Sequence, residues 1–169
     1  MKIRVSDIRE DGLTVANVGD FPAPFTDPSW TLDGVALHLV VDGRDVLVTG
    51  EIDATVPLTC GRCLEEFRVP VRAVVDTRYV PRPTTADDHE LAADDLDLDF
   101  YDHDELNLDA LVETETTLAL PMKPLCRPDC RGLCPVCGGN RNVTPCACEQ
   151  RSPDPRLAAL RDLASRLRS

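Results

Sequence analysis

This sequence is poor in several features, which narrows the kinds of protein it can be. No apolar run approaches the roughly 20 residues that a membrane helix needs. The first ten residues, Met1 to Glu10, scatter charges where a signal peptide would carry an apolar stretch. The expectation is therefore a soluble, cytoplasmic protein with no membrane partner. A positive balance is missing too: 18 Lys+Arg stand against 30 Asp+Glu, a formal charge of -12. Affinity for arbitrary nucleic acid comes mainly from clustered Lys and Arg, so the balance argues against a general phosphate-binding surface and any RNA contact must be local. Nothing resembles a nucleophile–base pair, a phosphate-cradling glycine loop or a carboxylate dyad, which argues against an enzyme. His38, His89 and His103 show no ligand spacing, which argues against an open, catalytic zinc. What is present, 169 residues with 43% hydrophobic content, suffices for a real core and excludes a disordered tail or a fibre.

The charge is unevenly placed. Between Pro83 and Met122 there is no Lys or Arg, and the 13 acidic residues from Asp87 to Glu115 form a belt. Residues 1–86 carry -4 and residues 116–169 carry +5 with thiols counted as neutral. A solvated acidic loop is the plain reading of the belt. A basic tail behind it suits RNA, a basic protein partner, or neither.

Apolar alternation marks the strands. Val35, Leu37, Leu39 and Val41 precede Asp42-Gly43, and Val46, Val48, Ile52, Ala54, Val56 and Leu58 follow it, which predicts a hairpin. A third long strand follows in Phe67, Val69, Val71, Ala73, Val75 and Tyr79, bounded by Pro81 and Pro83. Weaker strand signals are Ile3/Val5, Leu13/Val15 and Leu96/Leu98/Phe100. Gly19 to Trp30 reads as a loop, and Thr84–Ala93 as disordered. Asn107 is positioned to cap a helix from Leu108 to about Ala119, with Pro121 as its stop. Leu108, Leu111, Val112, Leu118 and Ala119 share one helical stripe with Glu115 inside it. A buried carboxylate needs a partner, and Arg62 is the candidate; the alternative is that the stripe's end is exposed. Asp154-Pro155 opens a short amphipathic helix with Leu157, Leu160, Ala164 and Leu167 on one face.

The expected fold is α+β: an antiparallel sheet of at least three long strands, two or so helices and a Cys-rich zinc-knuckle tail. The expected organisation is an α+β domain over residues 1–121 with an acidic loop at 83–106 and the helix at 108–119. A knuckle segment over 122–150 packs on it, and an amphipathic helix occupies 151–169.

The eight cysteines are the main lead, because disulfides seldom persist in a reducing compartment and clustered thiols there more often bind metal. They fall as Cys60/Cys63, Cys126/Cys130, Cys134/Cys137 and Cys146/Cys148. Two short-spaced thiols on one turn can converge on a tetrahedral ion, and four such pairs make two four-thiolate sites. Cys134-Pro135-Val136-Cys137-Gly138-Gly139 is the strongest instance, with proline stiffening the loop and glycines letting it curl under the second sulfur. Cys134, Cys137, Cys146 and Cys148 can close locally, leaving Cys60, Cys63, Cys126 and Cys130 as a long-range staple. All-thiolate sites imply structural metal, two Zn per chain by this count. Alternatives are one metal with four free thiols, redox-active pairs, or iron–sulfur.

The chain resembles the bacterial and plastid YceD family, named for large ribosomal RNA subunit accumulation. The resemblance is carried by Cys60-Gly61-Arg62-Cys63-Leu64-Glu65, the acidic loop, and Leu108 to Pro121 with Glu113 and Glu115. It continues through Cys130-Arg131-Gly132-Leu133-Cys134-Pro135-Val136-Cys137-Gly138-Gly139-Asn140-Arg141-Asn142 and Cys146-Ala147-Cys148. Arg141 stands where many relatives have Leu, which makes this loop more basic. The resemblance implies an accessory role in large-subunit ribosomal RNA accumulation and no enzymatic mechanism. The partner it implies is that RNA or an assembly intermediate, or a basic large-subunit ribosomal protein. Arg127, Arg131, Arg141, Arg151 and Arg156 are the candidate contacts. Competing readings are a zinc-thiolate redox or stress sensor and a purely structural interaction module.

Overall fold

A computed structural model of the chain describes residues 1–82 and 98–149. Two compact units divide it. One comprises Met1–Leu58 with Phe67–Met122, and the other comprises Thr59–Glu66 with the chain from Lys123. The turn bearing Cys60 and Cys63 therefore belongs with the later cysteines rather than with the strands on either side of it.

The first unit is built on a five-stranded sheet in the order β2-β3-β4-β5-β6, where β2 is Leu13–Val15, β3 Thr31–Asp42, β4 Asp45–Thr59, β5 Glu66–Pro81 and β6 Leu98–Tyr101. A separate ribbon pairs β1, Lys2–Arg4, antiparallel with β7, Glu105–Asn107. The hairpin between β3 and β4 is the expected one: Asp42 faces Asp45 across a two-residue turn whose Gly43 has φ +66°, the left-handed conformation that such turns demand and glycine adopts freely. The alternation buries Val35, Leu37 and Leu39 on β3, Val46, Val48, Ile52 and Ala54 on β4, and Ala73, Val75 and Tyr79 on β5. The other face is wet, and carries Arg72 against Asp53 at 2.7 Å and Arg78 against Asp45.

The antiparallel sheet of the sequence reading is in fact mixed. β6 runs parallel to β5, with Arg78 opposite Leu98 and Val80 opposite Phe100. Parallel neighbours require a crossover of a dozen residues or more, which the sequence between Pro81 and Leu98 is long enough to supply. The expected 83–106 loop is thus interrupted by strands β6 and β7. The Thr84–Ala93 disorder and the 151–169 helix lie outside the described residues.

Among the described residues one α-helix is present, not two. It is α1, Leu108–Leu118, and Asn107 caps it as expected, its side chain accepting from the backbone N–H groups of Asp109 and Ala110. The buried face is Leu108, Leu111, Val112 and Thr116. It leans away from Leu118, on the opposite edge of the projected stripe, which stays 74% exposed. Glu115 is half-buried and accepts from the Thr77 hydroxyl at 3.2 Å. The expected Arg62–Glu115 ion pair is not formed: the carboxylate finds its partner on β5, and Arg62 belongs to the other unit, where it serves a different group described below. No helix of the described residues is long and apolar enough to cross a membrane.

Candidate metal centres

The second unit is organised by two copies of one turn. In the first, the Cys60 N–H donates to the Glu65 carbonyl at 2.9 Å and the Leu64 N–H returns to the Cys60 carbonyl at 3.0 Å. In the second, Cys134 N–H donates to Gly139 O at 2.8 Å and Gly138 N–H to Cys134 O at 2.9 Å. The residue after the second cysteine is left-handed in both, Gly138 at φ +72° and Leu64 at φ 60°. Glycine takes that conformation without penalty, whereas leucine at positive φ is strained. Leu64 is also 63% exposed, so packing does not explain its choice.

Each turn presents its pair of sulfurs to a second pair. The Sγ atoms of Cys60, Cys63, Cys126 and Cys130 all lie within 4.8 Å of one another, as do those of Cys134, Cys137, Cys146 and Cys148. Cys60 Sγ is 3.8 Å from Cys130 Sγ, and Cys63 Sγ is 3.7 Å from Cys126 Sγ. Four thiolates at about 2.3 Å from a central ion form a tetrahedron with edges of about 3.8 Å, while a disulfide would hold its sulfurs about 2 Å apart. Each set could hold one metal ion. The first is buried except for Cys126, which is half-buried; in the second, Cys134 is buried, Cys137 is exposed, and Cys146 and Cys148 are partly or fully exposed.

The electrostatics of both sets favour a cation. Backbone N–H groups of Cys126 and Cys63 aimed at Cys60 lower its thiol to about 6, and those of Cys137 and Val136 lower Cys134 to about 6. Opposite them, burial and then the neighbouring thiols push Cys126 up to about 12. Cys137 and then burial push Cys148 up to about 12. Four sulfurs so close cannot all be anionic alone, and a dication at their centre removes that conflict.

Polar groups around the first set fix its shape. Arg62 Nη1 donates to the Cys130 carbonyl at 2.9 Å, and the Gly61 N–H to the Pro124 carbonyl at 2.9 Å. This is the role Arg62 takes instead of pairing with Glu115. Asn142, which the sequence reading assigned no role, donates from Nδ2 to Cys130 Sγ at 3.3 Å. Its Oδ1 accepts from Arg131 N–H and from Arg127 Nη2, each at 2.8 Å. Burial disfavours the Cys130 anion, yet Asn142 and the Gly132 N–H outweigh it and hold the thiol below its ordinary value. Of the five candidate arginines, Arg127 is thus engaged with Asn142 and with Asp129 at 3.5 Å. Arg131 and Arg141 are exposed, and Arg151 and Arg156 lie outside the described residues. His38 stands on β3, 3.3 Å from the Thr14 hydroxyl, and belongs to neither set.

The family described as "Large ribosomal RNA subunit accumulation protein YceD" matches residues 48–164, a span that contains all eight cysteines. The chain belongs to the YceD family. Curated proteins similar to this member include an uncharacterised protein of Mycobacterium tuberculosis (strain ATCC 25618 / H37Rv), 36% identical over 93 residues, which are 55% of this chain and 44% of the relative. An uncharacterised protein of Mycobacterium bovis (strain ATCC BAA-935 / AF2122/97) matches to the same extent. One of Mycobacterium leprae (strain TN) is 31% identical over 125 residues, 71% of this chain and 54% of the relative. The chain spans about half the length of these curated relatives. No solved structure matches it.

Proposed function

We propose that this YceD-family chain supports accumulation of large-subunit ribosomal RNA in the cytoplasm by binding an assembly intermediate, with two structural zinc ions and no catalysed reaction. The observation that carries the reading is the family match across residues 48–164. The donor chemistry agrees with it: two sets of four thiols with tetrahedral spacing suit Zn²⁺. Cys60, Cys63, Cys126 and Cys130 would hold one ion, and Cys134, Cys137, Cys146 and Cys148 the other. Bound there, zinc supplies folding energy and charge neutralisation.

The chain's own contribution to binding is to aim arginines. Arg131 N–H is held by Asn142 Oδ1, and Arg141 N–H donates to the Gly132 carbonyl at 3.0 Å. Both side chains thus project from backbone fixed next to thiol ligands, where they can meet phosphates of a shaped or single-stranded RNA region. An overall charge of -12 disfavours arbitrary RNA, so selectivity rests on this local patch together with Arg151 and Arg156, or on a basic ribosomal protein already in place. Two phosphate contacts account for a log–log salt slope of about 1.4, at roughly 0.7 per contact with a single strand.

The test is Arg131→Ala with Arg141→Ala. The double variant should keep its zinc content, lose association with immature large subunits, and flatten the salt dependence by about 1.4. Full rescue of cells lacking the wild-type protein would remove the arginine contacts from the mechanism. Normal ribosomal RNA levels in cells lacking the protein would remove the ribosomal role. The exposure of Cys137, Cys146 and Cys148 favours one second reading, oxidant-sensitive release of the second ion, which requires reversible zinc loss under mild oxidant with matching loss of partner.

A further inference from the structure

The two thiol sets are adjacent in sequence, with Cys130 and Cys134 separated by Arg131-Gly132-Leu133, and the fold ties this short linker to both turns. Leu133 N–H donates to the Arg62 carbonyl of the first turn at 3.0 Å, while the Gly132 carbonyl accepts from Arg141 in the loop of the second set at 3.0 Å. Leu133 also pairs with Asn140 in an isolated antiparallel bridge. Asn142 reaches furthest. It lies in the loop between Cys137 and Cys146, both thiols of the second set, yet its Nδ2 points at Cys130 Sγ of the first. Asn140 locks it in that pose, its Oδ1 accepting from the Asn142 backbone N–H at 3.0 Å and from Nδ2 at 2.9 Å. Glu65 of the first turn accepts in turn from Asn140 Nδ2 at 3.2 Å.

We infer that Asn142 couples the two centres, so that loading of the Cys134 set raises the metal affinity of the Cys60 set. The inference rests on the metal reading above. The physical chain is direct. Metal at the second set pins both ends of the 137–146 loop, and the loop so held keeps the Asn142 amide against Cys130. There its N–H stabilises the sulfur in the thiolate form that a metal requires. Coupling of this kind is reciprocal, so a filled first centre must favour the second by the same factor. Asn142 is a positioning residue in this scheme and touches no ion itself. Its amide oxygen and its amide nitrogen do different jobs: the oxygen braces Arg131 and Arg127, and the nitrogen donates to Cys130 and to Asn140.

That difference supplies the test. Asn142→Asp keeps an oxygen for Arg131 and Arg127 but replaces the donor shared by Cys130 and Asn140 Oδ1 with an acceptor. The full chain is stripped of metal and titrated with Co²⁺, whose thiolate charge-transfer and d–d absorption report each centre. Zn²⁺ affinity of the Cys60 set is then read by competition, with and without the pair Cys146→Ser and Cys148→Ser. In the wild-type background that pair should weaken the first centre by about 10- to 100-fold, the range seen when an outer hydrogen-bond partner of a ligand is lost. In the Asn142→Asp background the first centre should already be weakened to that extent. Adding the pair should then change it by no more than about twofold, as for uncoupled changes. A wild-type first centre indifferent to the pair, or an Asn142→Asp chain that still responds to it in full, overturns the coupling while leaving the metal reading intact. A chain that takes up no metal overturns both. Far-UV circular dichroism of each variant distinguishes a lost centre from an unfolded chain, and a folded Asn142→Asp with wild-type affinity also overturns the proposal.

Discussion

Gly132 is where the second unit is least tolerant of a side chain, and substituting it by alanine tests the packing argument quantitatively. Its φ of +68° is left-handed, a conformation that costs an L-residue about 1–2 kcal/mol. A Cβ built there would lie 2.9 Å from the Arg62 carbonyl oxygen and 3.3 Å from Arg62 Cβ. The oxygen is backbone and already accepts from Leu133, so the linker must move, at a further cost of about 1–3 kcal/mol by analogy with overpacking. Gly138 is the internal control. It has φ +72°, yet a Cβ there would meet nothing within 4 Å. Both alanine variants carry the conformational cost and only Gly132→Ala carries the clash. If folding of this unit and zinc binding are one event, Gly132→Ala should weaken zinc at least about fivefold more than Gly138→Ala does, since 1 kcal/mol is about a factor of five. Competition against a chromophoric chelator measures both, and thermal unfolding of the loaded protein should rank them in the same order. Equal losses, or a greater loss in Gly138→Ala, would refute the packing of the linker against Arg62.

The remaining expectations concern the first unit. Gly50, opposite Leu37 with φ +149°, would place a Cβ 2.0 Å from the Ala36 carbonyl oxygen, so Gly50→Ala should cost more than about 2 kcal/mol in denaturant titrations; a cost below 1 would contradict the β3–β4 geometry. Thr116 is fully buried and its hydroxyl has no hydrogen-bond partner among the described residues, so the near-isosteric Thr116→Val should stabilise by about 1 kcal/mol, and destabilisation would mean that the hydroxyl is satisfied. Glu113 accepts from the Thr26 N–H at 2.8 Å, which holds its carboxyl below the ordinary value. The stability this adds is present above the carboxyl's unfolded pKa and is lost as pH falls through the lowered folded value; the gap between wild type and Glu113→Gln should therefore be open at neutral pH and close in acid, and a gap that persists in acid would count against the bond.

What the sequence discloses and conceals follows from the range of the interactions. Period-two alternation identified β3, β4 and β5 because each buries one face, and Asn107 announced α1 because capping is a contact of two or three residues. The four short cysteine pairs were legible for the same reason. The parallel placement of β6 was hidden, since Leu98 and Phe100 alternate identically beside either neighbour and direction is set by a crossover. Charge alone pairs Arg62 with Glu115 in the sequence, but the fold assigns them to separate units and gives each a neutral oxygen partner. Leu118 and Thr116 exchanged roles because helical projection locates a stripe without saying which edge meets the sheet. Asn142 has no signature of its own: an amide in a polar loop reads as a turn residue until the fold brings Cys130 to it.

The central claim, binding to large-subunit ribosomal RNA in an assembly intermediate, is tested most directly by crosslinking the full-length protein to RNA in living cells and sequencing what is recovered. The expected result is enrichment of a confined region of the large-subunit precursor over all other RNA, reduced in the Arg131→Ala, Arg141→Ala variant. Recovery of no ribosomal RNA above background, or of RNA in proportion to its cellular abundance, would contradict it.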